Sequence, residues 1–179
     1  MMVNTDIRTA NRVDLVVAFF DLTGFLRFSR SHTDEEVYHF FDLYYELVGD
    51  LIVESGGTVI KFMGDAGLVV FPAGQADRAV ESLCALKTVG DRWLSDQGAQ
   101  CRQIIKAHVG PVVAGALGTR TAKGFDVIGE TVNTAATLPS HGLALTAELF
   151  RKLSPGTSKR FKKHTPPMRY IPLEESHQD

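Results

Sequence analysis

Two aspartates stand where a protein could assemble a cation-binding site. Asp21 follows the apolar run VDLVVAFF, and Asp65 lies in the glycine-flanked segment MGDAG between two β-rich stretches. Carboxylate oxygens are the ligands that hard cations such as Mg²⁺ prefer, and two converging carboxylates suit an octahedral ion. Because the two residues are distant in sequence, only the fold can bring them together. The alternative is structural: Asp21 caps the segment after a strand, and Asp65 favours a turn.

The segments around both aspartates predict β-structure. Residues 13–20 predict a buried strand, because the run is short and rich in β-branched and aromatic residues. We therefore expect the first strand to end on the carboxylate of Asp21. The stretches TVIKFM and GLVVF predict a β-hairpin with Asp65 at its tip, since the glycines beside it can adopt positive φ.

Two long helices are predicted to pack on this sheet. Thr33 opens a Thr-x-x-Glu capping box, and apolar residues recur behind it at helical spacing up to the Gly-Gly pair at 56–57. A second helical repeat runs from Gln75 to about Asp96, and QIIKAHVG and VVAGALG then predict two further strands. The order β-α-β-β-α-β is the ferredoxin-like arrangement, an α+β fold with one antiparallel sheet and its helices on one face. A further helix is predicted in GETVNTAATL.

The composition is that of a single ordinary domain. The chain has 179 residues, of which 44% are apolar and 22% charged, and we expect one domain over residues 1–179 with a core at about 13–173. A net charge of −2 gives no basic field that could hold a nucleic-acid polymer or an anionic membrane. No apolar run approaches the ~18 residues of a membrane span, and the N-terminus lacks a signal-like apolar region. We therefore expect no membrane segment and a cytoplasmic location.

The cysteines and histidines give no separate metal or redox motif. Cys84 and Cys101 are too far apart for a Cys-x-x-Cys pair, and we expect both to be reduced thiols that face the core. The six histidines form no recognisable ligand cluster.

Three segments resemble the signature blocks of class III adenylate and guanylate cyclase catalytic domains. They are FFDLTGFLRFS at 19–29, GGTVIKFMGDAGLVVF at 56–71 and the run 108–138, and they occur in the family's order over most of the chain. The resemblance implies that Asp21 and Asp65 hold two divalent metal ions, Mg²⁺ or Mn²⁺, and that Leu22 joins the metal site through its backbone. It also implies that the backbone through Leu22, Gly24 and Phe25 cradles the phosphates of a nucleotide.

Lys61 and Asp126 match the two positions at which this family reads the base, and their pairing resembles the adenylate type. Adenine presents an acceptor at N1 and a donor at its amino group, which complement an ammonium and a carboxylate. Guanine reverses both groups, so the pair predicts ATP. The alternative for Lys61 is a strand lysine in an exposed salt bridge. Asn133 follows the family's V-N pattern and would position the ribose, unless it is only a helical residue facing water.

Thr137 departs from the family pattern. It stands four residues after Asn133, on the same helical face, where the family carries its transition-state arginine. A threonine cannot present a fixed cationic fork to phosphoryl oxygens, and losing such a group can remove several kcal/mol of stabilisation. The nearest substitutes are Arg120 and Lys123, in the loop before Asp126.

Further cations lie in the C-terminal segment KRFKKHTPPMRYIPL, which resembles a diverged form of the family's last block. In this block the family often places a phosphate-binding lysine, and the available residues are Lys159, Arg160, Lys162 and Lys163. The sequence does not distinguish Lys162 from Lys163, and we take Lys162 as the representative candidate. The alternative is a solvated charged face.

These residues lead to three hypotheses of different kinds. The first is an adenylate cyclase that converts ATP to 3',5'-cyclic AMP and pyrophosphate by a two-metal mechanism, for intracellular signalling. The resemblance places its site at the interface of a head-to-tail homodimer, or of a heterodimer with another cyclase chain. There the aspartates of one subunit would meet Lys61, Asp126 and Asn133 of the other.

The second hypothesis is a catalytically weak or silent homology domain that binds nucleotide or regulates a partner cyclase, because of Thr137. The third is a diguanylate cyclase. That group carries a Gly-Gly-Asp/Glu-Glu-Phe hairpin, whereas the tip here reads MGDAG.

Overall fold

Eight strands and six α-helices make up residues 10–175, the part of the chain that the computed structural model describes. The strands are β1 (Asn11–Thr23), β2 (Thr58–Met63), β3 (Ala66–Pro72), β4 (Arg102–Gly118), β5 (Lys123–Ile128), β6 (Leu143–Leu145), β7 (Phe161–His164) and β8 (Arg169–Pro172). The helices are α1 (Phe25–Ser29), α2 (Asp34–Glu54), α3 (Ala76–Asp96), α4 (Glu130–Thr137), α5 (Ala147–Phe150) and α6 (Pro155–Ser158), with a 3₁₀ turn at Ala73–Gln75.

All eight strands belong to one sheet. Its order is β2-β3-β1-β4-β6-β8-β7, and β5 pairs with β4 outside this path. The pairs are antiparallel except for β4 with β6, which is parallel. The first four strands, with α2 and α3 between them in sequence, form the predicted ferredoxin-like βαββαβ unit. The α+β prediction is therefore confirmed.

The pleat of β1 divides its side chains between two hydrophobic clusters. Val16, Ala18 and Phe20 face the cluster that contains the buried residues of α2 and α3, whereas Leu15 and Val17 belong to a cluster on the opposite side with Ala135 of α4. Because side chains alternate along a strand, Asp21 points to the same side as Leu15 and Val17. The two long helices thus share one face, as predicted, and α4 covers the other.

The first strand is longer than predicted and does not end on Asp21. Against β4 the pairing continues through Asp21 with Ile104 and Thr23 with Arg102. Against β3 the pairing stops at Phe20 with Gly67. Asp21 is therefore held by hydrogen-bonded backbone on one side and lies beyond the end of β3 on the other.

The two strands predicted from QIIKAHVG and VVAGALG are one strand, β4, which has 17 residues. Gly110 and Pro111 do not interrupt it, because an extended backbone accommodates the fixed φ of proline and β1 continues opposite both residues. Close packing against α4 explains the glycine at position 110. A Cβ at position 110 would lie 2.6 Å from Oγ1 of Thr131, and that hydroxyl donates a hydrogen bond of 2.7 Å to the Pro111 carbonyl oxygen.

The helices form close to their predicted bounds. At the start of α2, Oγ1 of Thr33 accepts from the Glu36 amide at 3.2 Å, and the Thr33 amide donates to Oε2 of Glu36 at 2.8 Å. This is the expected capping box. The cysteines are free thiols, with Cys101 buried and Cys84 half-buried. Among residues 10–175, no helix is both long enough and apolar enough to cross a bilayer.

Candidate functional site

The fold brings Asp21 and Asp65 together. Asp65 occupies the turn between β2 and β3, and this turn lies beside the part of β1 that β3 no longer covers. The two carboxyl groups lie close enough for their charges to interact. Burial raises the pKa of Asp65, and the nearby negative charge of Asp21 raises it further. Two carboxyl groups that are distant in sequence therefore share one site.

This pair of carboxylates suits a divalent cation. Within the described range 10–175, neither Asp21 nor Asp65 forms an ion pair with a lysine, arginine or histidine. Backbone amides, such as that of Leu22 on Asp21, stabilise the two carboxylates in part, but no ion pair within that range offsets their mutual repulsion. A cation held by both carboxylates would relieve it, with water or substrate oxygens completing the coordination. In the same range, no group of three or more His, Cys, Asp or Glu side chains is placed to hold a metal ion.

The tip of the β2–β3 hairpin is fastened to α2 by aromatic side chains. The Tyr45 hydroxyl donates a 2.8 Å hydrogen bond to the Gly64 carbonyl oxygen. The Tyr45 ring also stacks on Phe62, with 3.8 Å between the ring centroids. On the neighbouring strand, Gly67 leaves room for Phe20, since a Cβ at position 67 would lie 2.2 Å from that ring. Tyr45 was not among the residues selected from the sequence, because helical spacing shows where a tyrosine lies but not what its hydroxyl contacts.

The backbone that follows Asp21 forms a tight turn into α1. The Leu22 amide donates to Oδ1 of Asp21 at 2.8 Å, and the Leu22 side chain is buried. Gly24 has a φ of 77°, which favours glycine, and its carbonyl oxygen accepts from the Arg27 amide at 3.0 Å. Phe25 packs on Phe41, with 4.8 Å between the ring centroids. The predicted phosphate-binding residues Leu22, Gly24 and Phe25 therefore lie directly beside the carboxylate pair.

Lys61 and Asp126 are in contact. The Lys61 ammonium donates to Oδ2 of Asp126 at 2.5 Å, and the two side chains are 43% and 24% exposed. Asp126 lies on β5, which pairs with the end of β4 that extends beyond β1. The Val127 amide donates to the other carboxylate oxygen, Oδ1, at 2.8 Å and orients the group. The two residues predicted to read the base are thus adjacent, and their polar ends remain partly open to solvent.

Asn133 and Thr137 lie on the exposed side of α4. The Asn133 amide nitrogen is 3.5 Å from Oε2 of Glu130. The Thr137 hydroxyl donates to the Asn133 carbonyl oxygen at 2.8 Å, as threonines often do within helices. Beside them, the Lys106 ammonium donates to the Ala136 carbonyl oxygen at 3.2 Å. Lys106 was not among the residues selected from the sequence. Polar and apolar residues alternate around it in QIIKAHVG, and this pattern predicts a strand but not the contact with α4.

The other predicted cations lie elsewhere. Arg120 is exposed in the turn between β4 and β5, and Lys123 begins β5. The Lys162 ammonium donates to the carbonyl oxygens of Leu173 at 2.9 Å and Glu175 at 2.6 Å. Its strand β7 is four strands from β1 in the sheet order, a separation of about 19 Å at ~4.8 Å per strand. Within one chain, the fold therefore does not bring Lys162 to the aspartates.

Residues 8–162 match the family model described as the adenylate and guanylate cyclase catalytic domain. The chain is 26% identical to an adenylate cyclase of Anabaena cylindrica over 141 residues, which are 74% of this chain and 28% of that protein. It is 32% identical to an uncharacterized protein of Mycobacterium tuberculosis over 126 residues, 69% of this chain and 23% of that protein. The chain thus spans about a quarter of the length of these relatives.

Solved structures of both cyclase types share the fold. The adenylyl cyclase CyaB from P. aeruginosa superposes with a TM-score of 0.79 and 20% identity, covering 94% of this chain and 97% of that one. The guanylate cyclase domain of RhGC from Catenaria anguillulae, in complex with GTP, gives a TM-score of 0.74 at 20% identity, with coverage of 90% and 96%. At this identity the likeness concerns the fold alone, and it does not distinguish the two nucleotides.

Proposed function

Because the chain belongs to the adenylate and guanylate cyclase catalytic domain family, we propose that it converts ATP to 3',5'-cyclic AMP and pyrophosphate. The observation that carries the choice of nucleotide is the contact between the Lys61 ammonium and the Asp126 carboxylate at 2.5 Å. An ammonium only donates hydrogen bonds and an ionised carboxylate only accepts them. The pair complements the N1 acceptor and the amino donor of adenine, whereas guanine offers a donor and an acceptor in the reverse places.

The reaction joins the ribose 3'-oxygen to the α-phosphorus. The bond from that phosphorus to the oxygen bridging to the β-phosphate breaks, pyrophosphate leaves, and the hydroxyl proton is released to water. Divalent cations, when bound, would lower the pKa of the 3'-hydroxyl and neutralise the triphosphate. Asp21 and Asp65 are the residues that would hold them, together with the backbone of Leu22, and the turn through Gly24 and Phe25 would cradle the phosphates.

We also propose that the site is completed by a second chain, as a head-to-tail homodimer or a heterodimer with another cyclase. Three large apolar side chains on the β4–β5 hairpin support this: Val113, Leu117 and Ile128 are 46%, 43% and 56% exposed. Burying them against another subunit would be favourable. In this assembly Lys61, Asp126 and Asn133 of one subunit would face the aspartates of the other.

Complementation between variants tests this arrangement. Asp21→Ala and Asn133→Ala chains should each be inactive alone, because each removes one half of every site. Mixing them should restore part of the activity, since one of the two sites in a mixed dimer is intact. A mixture that stays inactive, from two variants that fold and dimerise, would contradict the shared site.

The direct test of the proposed activity is a nucleotide assay. Purified protein is incubated with ATP or GTP, each with Mg²⁺ or Mn²⁺, and the cyclic nucleotide and pyrophosphate are measured. We expect cyclic AMP from ATP and little cyclic GMP from GTP, with loss of turnover in Asp21→Ala and Asp65→Ala variants. No cyclic AMP under either metal, from a folded dimer, would refute the proposal.

A second candidate function rests on Thr137, whose hydroxyl is bonded within its own helix and which carries no charge. A site without a cation at this position would bind nucleotide but turn it over slowly. The chain would then act as a nucleotide-binding or regulatory partner of another cyclase. ATP binding without cyclic AMP, also in a Thr137→Arg variant, would favour this function.

A further inference from the structure

Lys106 lies on the same face of the sheet as Asp21. Lys106 pairs with Phe19 across β1 and β4, and Asp21 pairs with Ile104, two residues further along. Positions two apart on a strand point to the same side, so Lys106 and Asp21 are diagonal neighbours. Such neighbours have Cα or Cβ atoms about 7–8 Å apart, within reach of long side chains. Lys106 therefore extends from the same face of the sheet as Asp21, at a neighbouring position, without forming an ion pair with it.

The Lys106 ammonium is largely unused by the protein. Its one hydrogen bond among residues 10–175 goes to the Ala136 carbonyl oxygen in the last turn of α4, at 3.2 Å, and no carboxylate lies within ion-pair distance. By contrast, the Lys61 and Lys87 ammonium groups in the same range are each paired with an aspartate. An ammonium has three donors, so Lys106 keeps two for an anionic partner.

The position of this ammonium is also set by α4. The bond to Ala136 places it one residue from Thr137, at the end of the helix where carbonyl oxygens carry partial negative charge. That end of α4 favours a cation and holds it near the side of the helix that carries Asn133 and Thr137. Lys106 is thus a neighbour of Asp21 on the sheet, and its ammonium reaches the last turn of α4, next to the residue before Thr137.

We infer that Lys106 binds oxygens of the β- or γ-phosphate of the nucleotide whose metal ions Asp21 and Asp65 would hold. The inference rests on the proposed nucleotide-binding function and adds a residue to it. A lysine supplies a mobile point charge rather than the planar fork of an arginine. Lys106 should therefore strengthen the binding of the triphosphate more than it organises a transition state.

Isothermal titration with ATP and with AMP, in the presence of Mn²⁺, tests the inference. Lys106→Gln removes the charge but keeps a donor for Ala136, and Lys106→Arg keeps the charge. Lys152→Gln is the control, because Lys152 is exposed after α5 and its loss changes the net charge equally. We expect Lys106→Gln to weaken ATP binding about tenfold and to change AMP binding less than about twofold, since AMP lacks the β- and γ-phosphates. Lys106→Arg and Lys152→Gln should bind like the unmodified chain.

Two results would overturn the inference. One is ATP binding by Lys106→Gln that equals that of the unmodified chain. The other is an equal loss for ATP and AMP, which would mean that Lys106 only supports α4.

Cyclic AMP formation, measured in the same variants, separates this inference from the proposed function. If no cyclic AMP forms but Lys106→Gln selectively weakens ATP binding, the inference stands and the cyclase activity does not. If cyclic AMP forms and Lys106→Gln binds ATP normally, the cyclase activity stands and the inference about Lys106 does not. An unmodified chain that binds no ATP would refute both.

Discussion

Asp65→Asn should make the metal-free protein more stable and at the same time remove its response to metal. Asparagine has nearly the same shape as aspartate, so the hairpin turn can keep its backbone. Burial and the charge of Asp21 raise the pKa of Asp65, which means that its ionised form is disfavoured in the folded chain. Replacing it by a neutral side chain removes this cost.

The size of the effect follows from the exposure of the site. Asp21 is exposed and Asp65 is half-buried, so solvent screens their repulsion and about 0.5–1 kcal/mol of unfolding free energy is the reasonable range. In a domain of 150–250 residues, 1 kcal/mol shifts the unfolding midpoint by about 2–4 °C. We therefore expect Asp65→Asn to raise the Tm of the metal-free chain by about 1–4 °C at neutral pH.

The sign of the pH dependence is fixed by the raised pKa. Below the ordinary pKa of an aspartate, Asp65 is neutral in the folded and unfolded chains, and its ionisation does not affect stability. Between the ordinary pKa and the raised folded-state pKa, the unfolded chain has released the proton while the folded chain still holds it. The free energy of unfolding therefore falls as the pH rises through this window. The advantage of Asp65→Asn should be largest at neutral pH and vanish towards about pH 3.

Thermal unfolding followed by circular dichroism, with and without Mn²⁺, measures both effects. Mn²⁺ should raise the Tm of the unmodified chain, because an ion that binds only the native state stabilises it, and it should not raise that of Asp65→Asn. Asp42→Asn, at an exposed position of α2, is the control and should keep the response to metal. A variant that is less stable than the unmodified chain without metal at pH 7, or that still responds to Mn²⁺, would refute the reasoning.

Three further predictions concern the base, α4 and the hairpin. Asp126→Asn should reduce the preference for ATP over GTP about tenfold in kcat/KM, because an amide can also donate; an unchanged preference would remove Asp126 from base recognition. Thr137→Arg should raise turnover by about 10²–10³ at unchanged Tm, and unaltered turnover would mean that position 137 does not reach the phosphates. Gly67→Ala should lower the free energy of unfolding by about 1–3 kcal/mol, because the new Cβ would lie 2.2 Å from the Phe20 ring. Gly49→Ala, where the added Cβ meets nothing within 4 Å, is the matched control and should not destabilise; equal losses in chemical denaturation would contradict the packing argument.

The elements around the aspartates could be predicted because their signals are local. The capping box at Thr33 and the hairpin through Asp65 depend on residues three or four apart, and both form as expected. The length of β4 could not be predicted in this way. Gly110 and Pro111 are typical of turns, and they stay in the strand because β1 pairs with both and α4 lies against the glycine.

The candidate site was also only partly predictable: its motif residues could be selected from the sequence, whereas contacts between distant segments could not. The family motifs selected Lys61 and Asp126 as residues of one function but did not predict their contact, which depends on the fold bringing a β2 residue to β5. Lys106 and Tyr45 were missed because each acts through a contact with a distant segment, Ala136 for one and Gly64 for the other. Lys162 could not be located from its charge alone, since its position depends on which strand forms the edge of the sheet.

The bond from the Tyr45 hydroxyl to Gly64 and the stacking on Phe62 have an entropic consequence. Ordering a residue's backbone costs about 1–2 kcal/mol, and a free glycine-rich turn would incur that cost whenever a ligand binds. Here α2 holds the turn in place before any ligand arrives, so the backbone entropy of the turn is lost on folding rather than on binding. Asp65 is thereby preorganised, and more of the interaction energy with an ion remains available as affinity.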